Sequence, residues 1–249
     1  MNILVTNDDG ISSPALYGLR EAMKGLGRVF IVAPDRDQSA TSHSLTLYRP
    51  MRIDTPEPDV YAVDGTPTDC VLVATHGLLS ERPDLVISGV NRGANMGDDV
   101  FYSGTVAAAI EGAMQGLPAI AVSLVVGPGL ADFTYACAFT RRLIEVVGAR
   151  GLPAKSVLNV NVPALPAAQV KGVEVTKLGK RIYDDALIER LDPRGRKYYW
   201  IGGDAPVWEP EPESDFLAVH EGRVSVTPLH LDLTDNALRS RLAEWRLAP

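Results

Sequence analysis

Five short apolar runs recur along the first two thirds of the chain, and they constrain the fold more than any other feature. The runs are Ile3–Val5, Val29–Ala33, Leu85–Ser88, Ala119–Leu124 and Val157–Val162. Runs rich in valine and isoleucine, without strict polar alternation, are typical of strands that are buried on both faces of a sheet. Tyr61–Val63 is a weaker sixth candidate.

Helical patterns separate these runs. In the first, Ser13 is a candidate N-cap, Pro14 suits the first helical position, and Leu16 and Leu19 follow at helical spacing. Three further helices are predicted at Thr66–Leu79, Thr105–Gln115 and Asp132–Val147. Strands that alternate with helices predict an α/β fold: a Rossmann-like, doubly wound, mostly parallel sheet with helices on both faces.

The pattern changes after about Lys171. Residues 176–228 are rich in Gly, Pro, aromatic and charged residues, which predicts an extended hairpin arm with little core of its own. Within it Lys197–Ile201 favours a strand and the acidic, proline-rich tract Pro206–Asp215 favours a loop. The aromatic side chains of this arm, Trp208 among them, are expected to pack against another subunit.

A final helix is predicted over Thr234–Leu247, where Leu238, Leu242 and Trp245 form an apolar stripe. The 249 residues therefore divide into an α/β core at 1–170 and an oligomerisation arm with a C-terminal helix at 171–249, both parts of one domain.

The charge balance limits the partners. With 24 Lys and Arg against 31 Asp and Glu, the net charge is −7, which argues against a nucleic-acid polymer or an anionic membrane as partner. No apolar stretch approaches the roughly 18 residues that a membrane span needs. Cys70 and Cys137, the two cysteines, cannot form a disulfide framework, and Met1–Val5 does not resemble a signal peptide. We therefore expect a cytoplasmic protein with reduced thiols.

Short polar residues and glycines follow the predicted strands, at the sheet edge where ligands of α/β proteins bind. These segments are Thr6–Gly10, Pro34–Ser44, Gly89–Asp99 and Tyr102–Thr105. None of them carries the glycine fingerprint of dinucleotide binding or the P-loop, which argues against a dehydrogenase.

Asp8 and Asp9 are adjacent carboxylates that repel each other and favour a cation. Oxygen ligands select Mg²⁺, Mn²⁺ or Ca²⁺ rather than zinc, and Ser39 and Asn91 are candidate neutral ligands from neighbouring loops. In the alternative interpretation, Asp9 caps the coming helix, Asp8 turns the loop and Ser39 is an ordinary turn residue.

Ser103, Gly104 and Thr105 open a helix, and the free N–H groups there favour an anion such as phosphate. An ordinary N-cap is compatible with the same pattern. His43 is either a general acid, a phosphate donor or a satisfied loop histidine. A hard cation beside an anion hole indicates metal-assisted hydrolysis of a phosphate ester.

Taken together, these segments resemble the SurE family, the stationary-phase survival proteins that act as nucleoside 5′-monophosphate phosphatases. The resemblance covers almost the whole chain, and its motifs are Asn7–Gly10, Pro34–Ala40, Gly65–Cys70, Ser88–Asn91, Tyr102–Val106, Asp192–Trp200 and Gly222–Pro228. Five of these motifs, spaced in one order through the core, make it specific. Ser42 departs from the glycine expected at that position and affects only the local loop.

The resemblance implies a 5′-nucleotidase that needs one divalent cation per subunit, Mg²⁺, Mn²⁺ or another metal. Asp8, Asp9, Ser39 and Asn91 match its metal ligands, and Asn95, Ser103, Gly104 and Thr105 match its phosphate site. Asp8 and Asp9 would also be catalytic, by orienting the nucleophile or, for Asp8, by attacking phosphorus itself.

The resemblance further implies activity on 3′-nucleotides and short polyphosphate, and a homodimer or homotetramer built by the arm and a swapped C-terminal segment. The alternative function is a nucleotide-binding regulatory protein without turnover, which would keep the anion hole and need no metal.

Overall fold

The computed structural model describes residues 1–126, 131–182, 187–201 and 207–245. Its strands are β1 (Asn2–Thr6), β2 (Arg28–Pro34), β3 (Ile53–Glu57), β4 (Val60–Val63), β5 (Leu85–Arg92), β6 (Ala119–Val125), β7 (Ser156–Pro163), β8 (Val173–Val175), β9 (Arg181–Ile182), β10 (Leu187–Leu191), β11 (Lys197–Ile201), β12 (Val207–Trp208) and β13 (Val224–His230). Its α-helices are α1 (Pro14–Ala22), α2 (Pro67–Val73), α3 (Gly104–Met114), α4 (Thr134–Arg150), α5 (Asp215–His220) and α6 (Asn236–Ala243).

Nine of the described strands form one sheet in the order β3-β4-β2-β1-β5-β6-β7-β13-β8. The run from β4 to β7 is parallel, whereas β3 and β13 are antiparallel to the strands β4 and β7 that they border. This topology confirms the predicted doubly wound α/β fold.

The helices cover both faces of the sheet, and alternate residues of one strand serve the two faces. Ile3 and Val5 of β1 belong to the core under α1 and α4, and Leu4 belongs to the core under α2 and α3. All three are fully buried. Burying one such side chain contributes roughly 1.5–3 kcal/mol, so a strand apolar at every position is stable only between two helical layers.

The predicted helices are present, with shifted ends. The helix predicted over Thr66–Leu79 is regular only to Val73 and continues as a single π-helical turn over Ala74–Leu78. Strands β3 and β8 were not predicted, because β3 contains a proline and β8 has only three residues. No helix in the described ranges has the length and apolarity that crossing a membrane requires.

The prediction of one hairpin arm over residues 176–228 is wrong in its extent. The hairpin is β10 and β11 alone, and β13 returns to the main sheet between β7 and β8. The tract predicted as a loop begins at Pro206, which lies outside the described residues, and continues with β12 and the start of α5.

Trp208 is likewise not an exposed anchor. It is 8% exposed and stacks on Phe216 with the ring centroids 5.0 Å apart, next to Met96 and Val219. Its own chain, and not another subunit, supplies the apolar surface that buries Trp208.

The C-terminal helix α6 confirms the central part of the helix predicted over Thr234–Leu247, whose last two residues lie outside the described residues. No residue of α6, as described, is buried, and Leu238 is 40% exposed. A swapped position for this segment stays a prediction.

Candidate active site

The loops singled out from the sequence meet at the carboxyl edge of the sheet, around the point where the chain winds in opposite directions. Strand β1 lies between β2 and β5, so the segments that follow these three strands are neighbours. In this class of fold that edge is where ligands bind.

Asp8 is buried directly beyond β1 and faces the start of α3. Its carboxylate accepts hydrogen bonds from the hydroxyl and the backbone N–H of Thr105. The close approach depends on Gly104, because a Cβ there would lie 2.9 Å from Asp8 Cβ. The positive end of the helix dipole favours this carboxylate. Burial nevertheless raises the pKa of Asp8, because the loss of water outweighs these hydrogen bonds.

The carboxylate of Asp9 lacks a hydrogen-bond partner that the carboxylate of Asp8 has. Its Oδ2 is buried and has no hydrogen-bond partner among the described residues. Burial, followed by the charge of Asp8, raises the pKa of Asp9 to about 6, although the backbone N–H of Arg92 acts in the opposite direction. The charge and the N–H of Arg92 offset only part of this negative charge, and a cation would give the buried Asp9 Oδ2 a partner.

Ser39 lies on the loop after β2, which is tied to the β1 loop by the N–H of Gln38 donating to the Asp8 carbonyl at 2.8 Å. The Ser39 hydroxyl donates to Asp37 Oδ1 at 2.6 Å, and the Ser39 N–H donates to the same oxygen at 2.7 Å. These bonds lower the pKa of Asp37. The hydroxyl proton is thus held toward Asp37, and the lone pairs of Ser39 Oγ are left for another partner.

Asp37 is not among the residues predicted from the sequence to form the site. The signal was available, since Asp37 is a carboxylate two residues before a candidate ligand. Its charge also raises the pKa values of Asp8 and Asp9. The candidate site is therefore more negative than the two adjacent carboxylates alone would make it.

Asn91 is near the end of β5, opposite Ser123 of β6. Its Nδ2 donates to the Gly93 carbonyl at 3.0 Å, so its Oδ1 is the atom left to face a ligand. No cluster of three or more His, Cys, Asp or Glu side chains suited to a metal occurs within the described ranges. A cation at this edge would rely on Asp8, Asp9 and neutral oxygens, a donor set that fits a hard divalent ion.

At the start of α3, two of the predicted phosphate-site hydroxyls already have structural roles. Ser103 is the N-cap, and its Oγ accepts from the Val106 N–H at 3.0 Å. The hydroxyl of Thr105 donates to Asp8, so it positions the carboxylate. The Ser103 hydroxyl proton is still a possible donor to an anion, since capping uses only its lone pair.

Asn95 is buried and directed into the sheet. Its Nδ2 donates to Ser123 Oγ at 2.8 Å, and its N–H donates to Asn161 Oδ1 at 2.9 Å. Its carbonyl accepts from Asn159 at 2.8 Å and from Asn161 at 2.9 Å. The loop that leads to Ser103 is thus anchored to β6 and β7 through Asn95.

His43 lines the same cavity as Ser103, beside α3. Its Nε2 lies 2.9 Å from Oε2 of Glu111. Glu111 is buried, and its other oxygen, Oε1, accepts from Gln115 Nε2 at 2.7 Å. The contact with Glu111 gives one ring nitrogen of His43 a partner, and a role of His43 as a general acid or a phosphate donor stays a prediction.

The fold and the site define a class, the Rossmann-like α/β proteins with paired carboxylates at the switch point of a parallel sheet. A sequence profile described as "Survival protein SurE" matches residues 3–185. The chain therefore belongs to the SurE family.

Individual relatives match over the full length. The "5'-nucleotidase SurE" of Geobacter sulfurreducens is 52% identical over 248 residues, covering 100% of this chain and 95% of the relative. The protein of the same name from Moorella thermoacetica is 48% identical over 250 residues, covering 98% and 96%. The crystal structure of the SurE protein from Aquifex aeolicus superposes with a TM-score of 0.87 at 40% identity, covering 99% of this chain and 100% of that one.

Proposed function

We propose that this protein is a 5′-nucleotidase, a phosphoric monoester hydrolase that releases phosphate from nucleoside 5′-monophosphates. Relatives about half identical over the whole chain carry this activity in their names. In the structure, the observation that carries the proposal is the Asp8–Asp9 pair, which follows β1 and is bonded through Asp8 to the start of α3. The buried Oδ2 of Asp9 has no partner among the described residues.

The residues that would hold a divalent cation, Mg²⁺ or Mn²⁺, are Asp8, Asp9, Ser39 and Asn91. The unpartnered Asp9 Oδ2, the lone pairs on Ser39 Oγ and the Asn91 Oδ1 are the oxygen donors such an ion prefers. Such a cation would polarise a phosphoryl oxygen and offset the negative charge that Asp8, Asp9 and Asp37 place at this edge.

The chain's own groups would act around the reacting phosphorus. Asp8, fixed by Thr105, and Asp9 would orient the nucleophile for in-line attack. Ser103 and the start of α3, where Gly104 permits close approach, would stabilise the charge that develops on the phosphoryl oxygens. Asn95 would contribute by holding the loop that leads to Ser103.

We further propose that the subunits form a homodimer or homotetramer through the hairpin and the C-terminal segment, in the cytoplasm. The exposed aromatic residues of β11 support assembly, and the buried free thiols of Cys70 and Cys137 suit a reducing compartment. Activity on 3′-nucleotides and short polyphosphate belongs to the same proposal.

The experiment that separates an enzyme from a nucleotide-binding regulator is phosphate release from AMP with and without a chelator. We expect turnover that stops with EDTA and returns with excess Mg²⁺ or Mn²⁺. AMP binding without release, at any divalent metal, would overturn the proposal. A parallel panel of 3′-AMP, other nucleotides and polyphosphate defines the substrate range.

A further inference from the structure

Asp215 is a buried carboxylate, remote in sequence from the candidate active site, that bonds to one of its loops. It is fully buried at the first position of α5. Its Oδ1 accepts from the N–H groups of Gly179 and Phe216, each at 2.8 Å. Its Oδ2 accepts from the N–H of Gly97, also at 2.8 Å. One side chain thus joins three separate segments.

Gly97 belongs to the loop that enters the proposed phosphate site. It begins a 3₁₀ turn, Gly97–Phe101, between Asn95 and Ser103. Its φ is +52°, and a Cβ there would lie 2.5 Å from the Gly179 carbonyl oxygen and 2.7 Å from the Trp208 ring. The loop therefore touches backbone and ring directly, with no space for a side chain.

The segments it touches form the base of the hairpin. We call Gly179–Ile182 and Val207–Trp208 the arm base, because they precede and follow β10 and β11 along the chain. Strands β9 and β12 pair within it. A second tie connects it to the loop, since Arg181 donates to both carboxylate oxygens of Asp99, at 2.8 and 2.6 Å.

We propose that Asp215 is a positioning residue for the reaction. It clamps the Gly97–Phe101 turn to the arm base, and so sets Ser103 and the start of α3 for the substrate phosphate. This role rests on the proposed function and names a residue outside the metal and phosphate sets.

The chemistry of the clamp requires a carboxylate. Three N–H donors converge on Asp215, and each of its two oxygens accepts. Asparagine has one acceptor oxygen, so if that oxygen keeps Gly179 and Phe216, its NH₂ group meets the Gly97 N–H. Asp215→Asn therefore breaks the tie to the loop and preserves the size of the side chain.

The test compares Asp215→Asn with Ser214→Ala. Ser214 is the buried N-cap of α5 and accepts from the Leu217 N–H at 3.2 Å, so its loss weakens the same helix without touching Gly97. Hydrogen exchange over residues 97–101 and AMP kinetics are measured on both full-length variants. We expect Asp215→Asn to speed exchange there and to lower kcat/KM by about tenfold or more, as small misplacements do. We expect Ser214→Ala to change neither.

Unchanged exchange in a folded Asp215→Asn protein would overturn the clamp, and faster exchange with unchanged kinetics would overturn the positioning role. Should Asp215→Asn fail to fold, Gly97→Ala separates the loop from the arm base, because its Cβ would lie 2.5 Å from the Gly179 carbonyl oxygen. Unchanged exchange and kinetics in that variant would overturn the proposal. If the wild-type enzyme releases no phosphate, the proposed function fails and the positioning role with it, while exchange still reports on the tie.

Discussion

The parallel core and the hairpin are both rich in apolar side chains, but the core buries these side chains and the hairpin leaves them exposed. In β1, Ile3, Leu4 and Val5 are fully buried between two helical layers. In the hairpin, the five residues of β10 and the five of β11 are all exposed, with Trp200 at 64% and Ile201 at 92%.

This difference shows that one chain can stabilise its core strands by itself, whereas the hairpin needs a partner surface. A lone two-stranded ribbon is marginal in water, and the cross-strand pair of Ile188 and Trp200 does not bury either residue. The candidate active site, by contrast, lies at the ends of strands that are buried in the core. We therefore expect chemistry to depend on the core edge and assembly to depend on the hairpin.

The largest effect is expected from Asp8→Asn, which changes the core edge alone. Losing one anionic ligand should lower kcat by about 100-fold or more at a fixed metal concentration. The matched control is Asp35→Asn, a carboxylate on the loop after β2 that pairs with Arg36 at 2.7 Å. Steady-state kinetics would test both, and near-normal turnover by Asp8→Asn at limiting metal would remove Asp8 from the site.

A smaller effect is expected from Ser103→Ala. Loss of an aligned donor should reduce kcat/KM by about 10- to 1000-fold and weaken inhibition by inorganic phosphate. The substitution also removes the cap of α3, which costs about 1 kcal/mol of stability. Ser214→Ala removes an equivalent cap on α5 and controls for that loss. Unchanged phosphate inhibition would place the phosphate elsewhere.

The smallest effect on catalysis, with the largest effect on mass, is expected from replacing Tyr198 and Trp200 together by serine. These side chains lie on one face of β11 and are interface anchors in the proposed assembly. Light scattering after size exclusion should show a smaller oligomer, with phosphate release retained. Arg194→Ser, an exposed change in the hairpin turn, serves as the control. An oligomer of unchanged mass in the folded double variant would contradict an assembly role.

The sequence predicted the sheet well because its parallel strands carry continuous apolar runs, and such runs are stable in few other settings. It did not predict the course of residues 207–230. Tryptophan is a residue type common among interface anchors, but Phe216 and Met96 bury Trp208 within the chain. Only the tertiary fold decides which surface covers such a residue.

The site was predictable to the level of loops and less so to the level of atoms. That Asp8 lies near α3 follows from the rule that ligands collect at strand ends. The sequence could not show that Thr105 bonds to Asp8, that Asp37 holds the Ser39 hydroxyl, or that His43 turns to Glu111. Each of these contacts joins segments whose relative orientation only the folded structure sets.

We expect a divalent cation to bind at the core edge, independently of the hairpin. The most direct measurement is Mn²⁺ binding followed by electron paramagnetic resonance. We expect one Mn²⁺ per chain in the wild type and in the variant with Tyr198 and Trp200 replaced by serine, and binding weakened by about 10-fold or more in Asp8→Asn and Asp9→Asn. Mn²⁺ binding that survives both aspartate substitutions, or that is lost with the hairpin residues, would contradict the account.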